Sequence, residues 1–549
     1  MARQHAQLHK HVNVAQAVAC QPRKLAGRLT SIALSIAAIS RILVEGTWLK
    51  MLRYQCTTGP LKKPDATDSI VVDDSNQGSR YARAQNRDQL ELFISGSLRQ
   101  FIPDEHILVR IDRVLDLSWL RSEVDSLYCI DNGRPGVDPE VAVRLMLAGF
   151  LLGFVHDRRL MREAQVNIAI RWFVGYALHE ALPDHASLSR IRQRWGADLF
   201  RHVFERTVRA CGEAKIATGE VVHIDASLIR ANVSWESLVE RHLAKVDEAN
   251  ADSGEQDASK AADQAKSSSQ TGRYKKVSTT DPDATLATPS RNRHLEPSFK
   301  QHAVVDDIRG VVVDVEVTTG EVNEGQEILA RLDASAQVTG SAIKVMTADA
   351  GYAYAKVFGG LEARGIEALI PTKAEPIRSK VPLRRFRYDA KHDHVKCPRG
   401  KILRPNKAKI RHGRFFASKA RDCAGCDLAA LCLSPGRRTK AVVIVHEYPA
   451  LLRARRRRER WTEQEYRLYQ RHRWRSEGFH GEAKTWHGLA RAVRRGLANM
   501  RIQSFLTAAA VNLKRLGAAF LALIFAIPVV RNALAAHQQI GQPLSKTAI

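Results

Sequence analysis

A chain of 549 residues with 85 Lys and Arg against 58 Asp and Glu carries a formal net charge of +27 and a sequence pI of about 10.0, too large an excess for a solubility margin. It points to a polyanionic partner, nucleic acid first and an anionic membrane surface second. Eight cysteines in so long a chain exclude a disulfide scaffold, and the length allows about two to four domains with a large core.

Residues 1 to about 81 are basic, then apolar, then rich in Asp, Ser and Asn without a clear period, and read as a poorly ordered extension with Met51 as an alternative start. The apolar run Leu29 to Ser40, like Leu516 to Val530 with its internal Pro528, falls short of the ~20 residues that span a bilayer. Neither run has the build of a cleaved signal peptide, so the protein is expected inside the cell.

From about Leu90 the pattern is helical. Asp138 is placed to cap a helix with Pro139 at its first position, and Val141 to Val155 is apolar nearly all round, as in a buried core helix. Past the Pro183-Asp184 break, Ser187 to Trp195 reads as a short helix with Arg190, Arg192 and Arg194 exposed, either a DNA-contacting helix or a solvated basic face.

After Gly219 the period becomes strand-like. Alternation in Glu220 to Ser227 puts His223, Asp225 and Ser227 on one face, and an acid in such a strand is costly to bury without a cation or a metal. Ala249 to Ser269 reads as a solvated insertion. His302 to Val305 and Val311 to Val317 flank Arg309-Gly310 as a hairpin, Gln326 to Ser335 is helical, and Ile343 to Met346 and Gly365 to Pro371 are further strands. Asp349 sits where an apolar strand ends before a Gly, the usual place for a side chain presented at the carboxyl edge of a sheet. Asp306, Asp307 and Asp314 compete with it on spacing.

Cys397, Cys423, Cys426 and Cys432 fall in one segment and suit a closed tetrahedral zinc site, with His394 or His412 as substitute ligands and free or redox-active thiols as the alternative. Leu451 to Arg460 carries six arginines and one glutamate, placed for phosphate contact. In Arg473 to Lys484, helical spacing puts Arg473, Glu477 and Lys484 on one face, and Gly478 and Gly481 suggest a surface that something approaches closely. Arg491, Arg494 and Arg495 continue the basic surface, and Phe505 to Leu516 reads as an amphipathic, core-facing helix.

With GRPGVDPE, RWFVGY, LPDHASLSRIR, HIDASLIRANVS, STTDPDA, TADAGY, the cysteine cluster and the last helix in view, the set Asp225, Asp349 and Glu477 resembles the triad of bacterial DDE insertion-sequence transposases, nearest the eleven-eighty-two group, over about Gln89 to Gly517. The family signature spaces Arg, Glu and Lys as Arg473, Glu477 and Lys484 are spaced. Its Tyr has two residues before the Arg, whereas Tyr469 has three and Gln470 stands at the expected position.

The resemblance implies an α/β fold: an RNase H-like mixed sheet flanked by helices, with an all-α N-terminal DNA-binding domain and a small inserted cysteine-rich β subdomain. Boundaries follow as an extension over 1–85, the helical domain over 86–215, the catalytic domain over 216–376 with its polar insertion near 249–300, the cysteine-rich insert over 377–448, completion of the catalytic domain over 449–517, and a tail over 518–549. It further implies that Asp225, Asp349 and Glu477 hold Mg2+ or Mn2+ for cleavage at the element's ends and joining of 3′ ends to target DNA. Arg473, Lys484, Arg190, Arg192, Arg194, Arg494 and Arg495 would contact DNA, and Cys397, Cys423, Cys426 and Cys432 would bind structural Zn2+. A dimer or larger assembly on DNA in the bacterial cytoplasm, at the nucleoid, is expected. A nuclease without strand transfer and an inactive DNA-binding descendant are the alternatives.

Overall fold

The structure is a computed structural model and describes residues 96–129, 136–240, 276–287, 295–372, 380–410 and 413–540. The extension expected over 1–85, the stretch Ala249 to Ser269 and His412 lie outside these residues.

The N-terminal part is helical: α1 (Ile107–Asp112), α2 (Leu120–Val124), α3 (Pro139–Leu152), α4 (Asp157–Val166), α5 (Ile168–Val174) and α6 (His185–Glu213). Asp138 starts α3 by accepting the amides of Glu140 and Val141, and Gly153 ends it in a left-handed conformation at φ 77°. Between those caps, residues from Ala142 to Leu151 are buried nearly all round. Asp184 caps α6, and Gly196, at φ 72° and ψ 177°, breaks it after Trp195. The arginine-bearing segment is therefore a short helix ahead of a longer one.

The central sheet holds β1 (Val221–Arg230), β2 (Leu238–Glu240), β3 (Lys276–Ser278), β4 (Thr285–Ala287), β5 (Glu296–Asp306), β6 (Val312–Thr319), β7 (Val345–Ala348) and β8 (Glu367–Leu369). Its main path runs β6-β5-β1-β7-β8, with β5 antiparallel to β1 and β6, and with β7 parallel to both β1 and β8. Short β2, β3 and β4 extend the sheet past the start of β5. Helices α7 (Glu324–Thr339) and α8 (Ala355–Ala363) pack beside it.

A second antiparallel sheet, β9 (Arg387–Asp389), β10 (His394–Lys396), β11 (Ile402–Ile410), β12 (Gly413–Ala417) and β13 (Ala441–Val445), follows β8 in the chain. It closes on a small core of its own that includes Phe386, Val395, Leu403, Phe416 and Ile444. The chain then returns through α9 (Tyr448–Arg458), α10 (Glu463–His472), a π-helical turn (Arg473–Glu477) and α11 (Gly478–Trp486) to α12 (Leu497–Ile540).

Leu497–Leu523 of α12 is, by length and composition, long and apolar enough to cross a membrane, yet 56% of its most apolar window is buried in the protein, so it does not stand as a free apolar span. Nor is Phe505 to Leu516 amphipathic in its setting: Ile502 through Leu513 is buried on every side, between α6 and β6. Its polar residues are bonded inward. The Asn512 amide accepts from the Val312 amide at 2.8 Å and donates to the Val312 carbonyl at 2.8 Å, while Gln503 accepts from Val493 and donates to the carbonyls of Gly488 and Arg491. Phe204 of α6 stacks on Phe505 with centroids 6.2 Å apart. The helix is the spine on which the helical part and the sheet meet.

Candidate active site

Asp225, midway along β1, and Asp349, just past the end of β7, occupy adjacent positions on neighbouring strands. Ile224 and Ala348 are partners in the parallel β1–β7 pair, so the two acids that follow them stand side by side at the edge where β7 stops. Asp349 caps the tight turn Ala350–Tyr352, accepting the Gly351 amide at 2.8 Å. A Cβ at residue 351 would lie 2.7 Å from that carboxylate oxygen, so any larger residue there would displace the Asp349 side chain.

Glu477 arrives from the helical side, at the end of the π-helical turn, which packs against β1 and β5. A buried chain of contacts aligns the helix that carries it. His472 Nδ1 meets Thr347 Oγ1 at 3.0 Å, Thr347 Oγ1 meets His223 Nδ1 at 2.6 Å, and His223 Nε2 meets Asp307 at 3.0 Å. Arg471 closes the chain on Asp307 at 2.8 Å. Burial pushes His472 down to about 4, so its imidazole is neutral at ordinary pH.

The electrostatics single out Asp225. Burial raises its carboxyl to about 7; the Ala226 amide opposes this, and the charges of Asp349, Glu324 and Glu477 add to it. Lys484 is the nearby cation, lowered by its own partial burial and held up by Asp225. His480 is buried 4.0 Å from Asp225, with both ring nitrogens lacking a hydrogen-bond partner, and burial takes it to about 3. The buried Tyr352 phenol, pushed well above its ordinary value by burial, also senses Glu324, Asp225 and Asp349. Arg473 pairs with Glu477 at 3.1 Å, both well exposed.

The competing carboxylates are occupied elsewhere. Asp306 accepts the amides of Thr218, Gly219 and Ile308; Asp307 belongs to the histidine chain; Asp314 is fully buried between Arg201 and Arg331.

Arg192 and Arg494 depart from the exposed positions expected of them. Both converge on Asp157, and Arg192 is buried there, its guanidinium lowered to about 10 by burial and by Arg494 beside it. A carboxylate 35 residues away, at the start of α4, turns what looks like a basic helix face inward. Arg190, Arg194 and Arg495 remain exposed, with Arg194 resting over the Tyr128 ring. Of the arginines in α9 and just after it, Arg453 and Arg457 pair with Glu362 and Glu367, Arg455 and Arg458 are partly buried with Arg458 over the Trp461 ring, and Arg456 and Arg460 face solvent.

Cys397, Cys423, Cys426 and Cys432 line one cavity of the second sheet, all as free thiols. Burial raises the Cys432 thiol, Lys440 opposes this, and the other three cysteines add to it. Among the described residues, however, the side chains close enough to share one metal ion are Asp389, His392 and His394.

Three features escaped the sequence reading. Glu324 opens α7 beside the acids, where a helix-start glutamate ordinarily signals only a favourable dipole contact. Trp474, 80% exposed, and Trp486, 66% exposed, flank the glutamate-bearing segment, and an aromatic left in solvent beside cations is a signal that Arg473 to Lys484 already carried. The STTDPDA stretch starts α12, as Asp281 accepts the Gly496 amide at 3.2 Å and Asp283 the Leu497 amide at 2.8 Å.

Residues 96–194 match the family described as "Transposase domain (DUF772)", and residues 396–517 match "Transposase DDE domain". The second match contains the four cysteines and Glu477; Asp225 and Asp349 lie between the two. No curated protein matches the chain. Among solved structures, a piggyBac transposase synaptic complex with hairpin DNA aligns at 11% identity over 82% of each chain with a TM-score of 0.27. A Mos1 transposase paired-end complex with left transposon end aligns at 12% identity over 46% of this chain and 65% of that one, with a TM-score of 0.15.

Proposed function

We propose that this chain, a DDE transposase by its two family domains, binds the ends of its own insertion element, cleaves phosphodiester bonds there and joins the 3′ ends to target DNA. Asp225, Asp349 and Glu477 are the catalytic acids of this reading. One observation carries it: Asp225 and Asp349 stand side by side on neighbouring strands, and the partly buried Asp225 carboxyl is raised to about 7 among other carboxylates, an arrangement that invites cations. The donor set is all oxygen, which suits Mg2+ or Mn2+ over softer metals. When bound, such cations lower the pKa of an attacking water or 3′-hydroxyl and stabilise charge on the leaving oxygen.

The chain's own residues supply the rest. The Gly351 amide fixes Asp349, while Lys484 and Arg473 offer charge-assisted contacts to DNA phosphates across the glutamate face. Trp474 offers a stacking surface for an unpaired base at a cut end. The strand order β6-β5-β1-β7-β8 supports an RNase H-like catalytic domain, and exposed Arg190, Arg194 and Arg495 support DNA contact by the helical part and the loop before α12. Cys397, Cys423, Cys426 and Cys432, four soft donors around one cavity, would hold a structural Zn2+. Two element ends must meet, so the working form on DNA is at least a dimer at the bacterial nucleoid.

The test maps 3′ ends on a plasmid carrying the gene's flanking DNA, with purified protein and Mg2+, for wild type and Glu477→Ala. Cuts at both element borders that vanish in the variant, with joined products in wild type, are expected. Border cuts without joined products would reduce the reading to a nuclease. Tight, salt-sensitive binding without cuts would reduce it to a binding protein.

A further inference from the structure

The turn between β9 and β10 gathers an aspartate and two histidines that neither the carboxylate site nor the cysteine cavity uses. We propose that Asp389, His392 and His394 bind one divalent cation of the zinc class, separate from both. One ligand atom from each residue lies within 4.8 Å of the others.

The turn is built to present them. Asp389 Oδ1 accepts the amides of Lys391 at 3.1 Å and His392 at 3.2 Å, which closes the turn. Oδ2 is left to the imidazoles, 2.9 Å from His392 Nδ1 and 3.9 Å from His394 Nε2. Asp393 holds the unusual φ of 46° that brings His394 round, and its own carboxylate is taken by Arg414 and Tyr388.

A hydrogen-bonded Asp–His pair accounts for only part of this. One proton satisfies Asp389 and His392, yet His394 Nε2 is buried without a hydrogen-bond partner, which is unfavourable in the absence of a ligand. A cation satisfies all three groups at once. Bonds of ~2.0–2.1 Å to nitrogen and oxygen put tetrahedral ligand atoms roughly 3.3 Å apart, between the two separations seen here. Two imidazoles and one carboxylate favour Zn2+, Co2+ or Ni2+ over Mg2+. His392 is exposed, so the remaining coordination position opens to water.

The test titrates Zn2+ into the full-length protein, wild type and the His392→Asn/His394→Asn double variant, by calorimetry. The variant is expected to bind one equivalent fewer; equal stoichiometry overturns the proposal. Should the variant fail to fold, wild-type protein decides. Zn2+ at ten times its Kd is expected to slow diethylpyrocarbonate modification of His392 about tenfold, and an unchanged rate overturns the proposal.

Discussion

Acids at two places on the central sheet are treated in opposite ways. On β6, Asp314 is fully buried between Arg201 and Arg331, and Glu316 meets Arg201, Arg331 and Arg501. Where β7 stops beside β1, Asp225 is partly buried, and its neighbours Asp349, Glu324 and Glu477 carry its own sign. The first arrangement is paired within the fold, although full burial still raises the Asp314 carboxyl to about 6 against the opposing charges of Arg331 and Arg201. The second has Lys484 nearby, Arg473 on Glu477 and Lys300 on Glu324, yet among the described residues no arginine pairs with Asp225, whose carboxyl stays raised. A carboxyl raised among neighbours of its own sign is what makes Asp225 a candidate site residue.

The largest effect expected from breaking this contrast is at Asp225. Asp225→Asn should lower border cleavage by more than about 10²-fold, the scale of losing one contact to developing charge. Removing a partly buried like-charged carboxylate should also stabilise the metal-free protein by roughly 1–3 kcal/mol in urea unfolding. Asp314→Asn should do the reverse to stability, costing about 3–5 kcal/mol by leaving two arginines partly uncompensated. If both substitutions shift stability in the same direction, the contrast is wrong.

A smaller effect is expected at Glu482, which accepts from Lys514 at 2.6 Å and Arg515 at 3.1 Å. Against the cost of burial, hydrogen bonds from His487 and Lys514 and the charge of Arg515 hold it far below the usual carboxylate range. A depressed folded-state value means stability that is present above the unfolded pKa of about 4.3 and lost as pH falls towards the folded one. Glu482→Gln should therefore cost about 1–3 kcal/mol at pH 7, and the gap to wild type should narrow below about pH 4. A gap that persists in acid would locate the loss in packing instead.

Much of this was legible in residues whose signal is local. The strand position of Asp225, the turn cap at Asp349 and the helix cap at Asp138 are legible within a few positions. Arg192 and Arg494 did not, because the Asp157 that captures them is remote in sequence from both. Thr507 and Asn512 gave Phe505 to Leu516 the look of an amphipathic helix, since no local pattern says that a polar residue such as Asn512 will meet a strand carbonyl instead of water. Glu324 stayed hidden for a related reason: helix starts favour acids whether or not a site lies beside them.

The smallest effect concerns Tyr469, one residue farther from Arg473 than the resembling family places its Tyr. The π-helical turn at Arg473–Glu477 takes up one residue more than an α-turn, so an ordinary turn and this wider one together absorb about eight residues, the separation of Tyr469 from Glu477. The tyrosine is thereby returned to the glutamate's face. Its phenol is raised first by burial and then by Asp349, with Glu477 adding a smaller part, and its ring stacks on His472 at 6.2 Å. Gln470, at the family's spacing, is exposed. Tyr469→Phe should therefore slow border cleavage by about threefold to tenfold, the value of one hydroxyl contact, while Gln470→Ala leaves the rate unchanged. The opposite ranking in a single-turnover assay would mean that the π-helical turn does not restore the register.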